Sequence, residues 1–194
     1  MKTISLFIIT IFFGAATAFA SGKNAMNIIP LTADRVLVAM EQEKPAPVEV
    51  RVTDEDGRLV FYKSDRRPNG DYRKVYDLSA LENGRYDVVF TIDNAHTKRT
   101  IELKDDKVVV GELRYSYDPT FIFDNDNLKF SYLNFDKEDF MLKLYLNGQM
   151  VYESNVGNDF ALTHGFNLSR LEHGSYDVVL ASGSKEFYHT VSID

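Results

Sequence analysis

Apolar and polar residues alternate with a period of two along much of this chain. In Asn127-Leu128-Lys129-Phe130-Ser131-Tyr132 every second residue is apolar, and Val48-Glu49-Val50-Arg51 follows the same rule. Successive side chains of a strand point to opposite faces, so this pattern predicts half-buried β-strands. No stretch shows a convincing helical period of 3.6. Asp56-Gly57 and Asn147-Gly148 stand between such runs and predict hairpins, because two-residue turns need positive φ. Pro45 and Pro47 are expected to flank strand starts, and Pro68-Asn69-Gly70 to form a turn.

The pattern occurs twice. Residues 77–89 read DLSALENGRYDVV and residues 167–179 read NLSRLEHGSYDVV, identical at nine of thirteen positions and 90 residues apart. Upstream, Val48–Val52 corresponds to Phe140–Leu144, and Val36, Val38 and Met40 correspond to Leu128, Phe130 and Tyr132. Each copy holds six or seven short strands with turn signals between them, which predicts a two-sheet sandwich. The polar stretch Lys104-Asp105-Asp106-Lys107 is the expected boundary, giving domains over 21–104 and 105–194. Whether Val108–Val110 pairs with the first or the second copy is open at this stage.

The first 20 residues stand apart. Lys2 precedes an apolar run from Ile4 to Phe13, and Ala18-Phe19-Ala20 has the small-x-small form of a signal peptidase site. This is the layout of a cleaved secretory signal peptide over 1–20. The rival, an uncleaved anchor, needs about 20 apolar residues, more than the run supplies. No later segment is apolar enough to span a bilayer as a helix. The expected location is therefore periplasmic or extracellular.

The corner between the two halves of each copy is more specific. Leu81 and Gly84 precede Tyr86, which opens a strand with Tyr86, Val88 and Phe90 on one face; Leu171, Gly174 and Tyr176 repeat the arrangement. The placement resembles the tyrosine corner of Ig-like sandwiches, where the hydroxyl bonds to backbone just upstream. The alternative is an ordinary buried tyrosine. Together these features predict an all-β protein of two tandem Ig-like antiparallel β-sandwich domains.

A hairpin ending in D/N-G-x-x-V, followed by D/N-L-S-x-L-x-x-G-x-Y-D-V and a final strand, resembles the small Ig-like domains of exported Bacteroidota proteins. Secreted sandwich domains of unknown function and the C-terminal sorting domains of the type IX secretion system are both similar. The resemblance covers 48–103 and 140–193 and implies a fold without catalytic residues. Sorting domains typically follow a large passenger and end in a strand with a lysine near the terminus. Here the end reads Tyr188-His189-Thr190-Val191-Ser192-Ile193-Asp194, a departure from that pattern.

Charge and chemistry narrow the function further. The net charge of −7 becomes −8 without Lys2, which argues against nucleic acid as a partner, because phosphate binding needs clustered lysine and arginine. With no cysteine, the chain has no disulfides, thiolate ligands or cysteine nucleophile. His96, His164, His173 and His189 share no metal-ligand spacing. Asp54-Glu55-Asp56 and Asp124-Asn125-Asp126-Asn127 are read as turn residues, with calcium as the alternative. No nucleophile elbow, phosphate loop or dinucleotide motif is present. No cofactor is implied.

Binding residues are best sought where the copies differ. These places are the loop with Arg66 and Arg67, and the aromatic-acidic stretch with Tyr115, Tyr117, Phe121 and Phe123. Exposed aromatics there would stack on sugar rings or anchor a protein; buried ones would fill the sandwich. The expected function is a non-enzymatic interaction protein holding a protein or glycan of the cell envelope. The alternatives are a structural or sorting element of a secretion or surface system and, third, a hydrolase with an unrecognised site.

Overall fold

A computed structural model describes residues 26–193 and the backbone of Ile8 and Ile9. The remainder of the leader expected over 1–20 lies outside the described residues. The described residues are all β, and the chain forms two compact units, one through Tyr115 and one over Ser116–Asp194.

The second unit is the simpler. Its strands are β8 (Thr120–Asp124), β9 (Asn127–Leu133), β10 (Phe140–Leu146), β11 (Gln149–Gly157), β12 (Ala161–Asn167), β13 (Gly174–Ala181) and β14 (Glu186–Ile193). They form a three-stranded sheet in the order β12-β9-β8 and a four-stranded sheet in the order β11-β10-β13-β14. All pairings are antiparallel. The alternation read from sequence holds on β9, where Leu128, Phe130 and Tyr132 are buried and their neighbours exposed. Phe140, Leu142 and Leu144 of β10 face them across the core with Val178 and Leu180 of β13. Full burial of each such side chain contributes about 1.5–3 kcal/mol.

The first unit repeats this plan with β2 (Met26–Pro30), β3 (Arg35–Asp54), β4 (Leu59–Asp77), β5 (Gly84–Ile92) and β6 (Ala95–Lys104). It adds β1 (Ile8–Ile9) on β4 and β7 (Lys107–Tyr117) on β6. One half of β3, over 35–41, pairs with β2 and with 71–77 of β4; the other, over 48–54, pairs with 59–65 of β4 and with β5. These halves are the counterparts of β9 and β10.

Three local expectations are corrected. Pro45, Pro47 and Pro68-Asn69-Gly70 do not end strands, because β3 and β4 run through them. The register shifts between Glu41 and Ala46 and between Ala46 and Val48 absorb the missing donors as irregular pairing. Lys104-Asp105-Asp106-Lys107 is not a linker: Asp105 and Asp106 both have positive φ and close a two-residue turn between β6 and β7. Val108, Val110 and Leu113 of β7 accordingly pack on the first core. Finally, Asn147 and Gly148 (φ 51° and 78°) make the expected two-residue turn, whereas Asp56-Gly57 belongs to a longer one. There only Gly57 has positive φ, the Gly57 amide donates to the Asp54 carbonyl, and the Asp54 amide donates to the Arg58 carbonyl.

Both tyrosine corners form. The Tyr86 hydroxyl donates to the Glu82 carbonyl at 2.9 Å, and that of Tyr176 to the Glu172 carbonyl at 2.9 Å. In each copy an Asx residue, Asp77 or Asn167, accepts the amide of Ser79 or Ser169 at 3.0 Å. The most repeated residues are therefore occupied in turning the chain from one sheet into the other.

Candidate binding site

The acidic clusters are turns. The Asp54 carboxylate accepts the Asp56 and Arg58 amides at 3.0 and 2.8 Å. Asn125 and Asp126, both with positive φ, close the hairpin that pairs Asp124 with Asn127. Another polar group fastens the end of the second unit: Glu138 accepts the hydroxyls of Ser182 and Ser184, and Lys185 pairs with Asp136 at 2.5 Å. The two serine hydroxyls hold the Glu138 carboxyl below its ordinary range. These groups are engaged in holding loops.

The void inside the first unit is apolar, about 20 Å³, and lined by residues such as Ile28, Val38, Val88 and Phe90. An apolar cavity of that size stays dry and offers no chemistry.

The second unit carries an open groove of about 350 Å³ between β8 and β14. Both are edge strands, one on each sheet. Its walls include Asp118, Pro119, Phe121, Glu186, Tyr188 and His189. Phe121 is half-buried, tilted against Phe130 at 6.0 Å between ring centroids, and stacked on His189 at 4.9 Å and 5°. This stack ties one sheet edge to the other. Tyr188 is 69% exposed and its hydroxyl donates to Glu186. That hydrogen bond to a carboxylate raises the Tyr188 phenol above its ordinary value.

The predicted residues are dispersed. Arg66 and Arg67 are exposed on β4 where its pairing with β3 is irregular, and the Arg67 amide donates to Asp65 at 3.3 Å. Tyr115 ends the first unit, exposed at its surface. Tyr117 stacks on Phe135 at 6.2 Å, and Phe135 meets Phe160 edge-on at 5.4 Å, so these three form a partly exposed aromatic row on the second unit. Phe123 packs against the second core. Phe121 alone among the predicted residues lines the groove. Glu186, Tyr188 and His189 carry no sequence motif; the one available signal is that His189 stands where the first copy has Arg99.

No family model matches this chain, and no curated protein does. Among solved structures, it is similar to a biofilm-associated protein BSP domain, at 12% identity and a TM-score of 0.28. That match covers 89% of this chain and 29% of that one, so the chain spans less than a third of the biofilm protein's length. A segment of two fibronectin type-III domains from chicken tenascin is 7% identical with a TM-score of 0.30, covering 88% of this chain and 98% of its own. The human OSCAR ligand-binding domain is 8% identical with a TM-score of 0.24, covering 89% and 98%. None of them assigns a family or a partner to this chain.

Proposed function

We propose that this protein is an exported, non-enzymatic binding protein of the cell envelope, periplasmic or extracellular, whose sandwich domains hold a protein partner. The observation that supports this reading is the groove between β8 and β14. It combines aromatic walls, an exposed tyrosine and two strands that end their sheets among the described residues, the features from which recognition surfaces are built. The ionisable clusters, by contrast, are spent on turns and loop ties. Export rests on the leader pattern over 1–20.

The test is capture from a solubilised envelope fraction with the tagged chain, followed by reciprocal capture of each candidate. A specific partner retained in both directions is expected. Repeated recovery of no partner, or steady turnover of a substrate by the purified chain, would remove the reading.

A further inference from the structure

The two units treat the outer edge of their last shared strand differently. In the first, the edge of β6 is covered by β7. Arg99 of β6 ties the covering strand in place: its Nε donates to the Met26 carbonyl at 3.0 Å and its Nη1 to the Gly111 carbonyl at 2.9 Å. Gly111 lies so close to β6 that a Cβ there would sit 3.1 Å from the Thr100 carbonyl oxygen. In the second unit β14 corresponds to β6, His189 to Arg99, and Thr190 to Thr100. Among the described residues no strand covers β14, and the groove lies along that same side. An unpaired edge presents a row of backbone donors and acceptors that a further strand satisfies.

We infer that the β14 edge is a strand-acceptor site, where an extended, basic segment of a partner protein pairs as β7 pairs on β6. This deepens the binding reading above and depends on it. Three features define the occupant. β7 places Val108, Val110 and Leu113 on its core, so the segment carries apolar residues at intervals along one face. It has a small residue opposite Thr190, as Gly111 stands against Thr100. It is basic, because two acidic residues, Asp118 and Glu186, line the groove and no lysine or arginine is among its described lining residues. Main-chain hydrogen bonds supply affinity in such strand addition, and alternate side chains supply selectivity.

The probe is a synthetic peptide with the sequence of β7, KVVVGELRYSY, in which Glu112 is replaced by Lys. Its binding to the full chain is followed by fluorescence anisotropy, with amide hydrogen exchange to locate it. Saturable binding is expected, with protection gained within Glu186–Ile193. Methylating alternate backbone nitrogens should abolish it, and replacing the lysines and arginine by glutamate should weaken it at least tenfold. No saturable binding up to about 1 mM peptide would overturn the inference. So would binding that survives N-methylation, or protection gained elsewhere than β14. Failure of the peptide with envelope capture intact condemns the edge site alone; failure of capture condemns the broader reading.

Discussion

The two units share a strand plan and a tyrosine corner, yet they solve the crossing between sheets in opposite ways. In the second, Asn134 is fully buried and its side chain spans the six-residue connection from β9 to β10. Its amide nitrogen donates to the Glu138 carbonyl at 2.8 Å, and its oxygen accepts the Glu138 amide at 3.1 Å. Its backbone amide donates to the Phe160 carbonyl at 2.8 Å, joining the other crossing. In the first unit the equivalent residue is Gln42, also buried, and neither polar atom of its side chain has a partner. There the chain crosses as continuous strands instead. A buried polar side chain at the same position is thus a fastener in one copy and a cost in the other, since an unsatisfied buried amide loses its hydration without return.

The sharpest way to break this comparison is at that position. Asn134→Ala leaves two backbone groups of the β9–β10 connection unpaired and should destabilise the second unit by about 3 kcal/mol in denaturant unfolding. Gln42→Met keeps the volume and removes the orphan amide, so it should leave the first unit unchanged or more stable. Equal losses from the two substitutions would mean that Gln42 is satisfied in solution.

The edge contrast predicts a smaller effect. Arg99→Ala removes the donors that hold the Met26 and Gly111 carbonyls and should cost about 2 kcal/mol. The loss should appear first as faster amide exchange along β7. His189→Ala in the second unit removes only the stacking on Phe121 and should cost about 1 kcal/mol.

The smallest effect at neutral pH concerns a pair of tyrosines. Tyr72 and Tyr76 of β4 are buried and share a hydrogen bond between their hydroxyls, where the second unit has Leu162 and Phe166. Burial pushes the Tyr72 phenol up to about 12 and raises Tyr76 as well. A raised folded-state value means stabilisation present in full below the ordinary tyrosine value of 10 and lost as pH rises toward about 12. The double substitution Tyr72→Phe with Tyr76→Phe keeps both rings in the core and should leave melting nearly unchanged at pH 7. It should flatten the alkaline loss of first-unit stability between pH 10 and about 12. An unaltered alkaline profile would show that other groups control it.

What was legible in the sequence was local. A period of two reports strand faces because the pleat enforces it, as on β9. Asn147-Gly148 reports its turn because positive φ favours those residues. Leu81-Gly84-Tyr86 and Leu171-Gly174-Tyr176 report the corner because the tyrosine bonds to a carbonyl four residues away. Lys104-Asp105-Asp106-Lys107 misled because a polar turn and a polar linker have the same composition; only the positive φ of both aspartates and the docking of β7 separate them.

The sequence by itself determined the all-β plan, its duplication and the two corners, since each depends on residues near one another in the chain. Tertiary structure alone decided which copy claims β7, how β3 and β4 pass through their prolines, and that Phe121 meets His189 across the gap between two sheets. Those outcomes depend on pairing and packing between residues far apart in sequence, where many partners satisfy the same local pattern and only the assembled sandwich selects one.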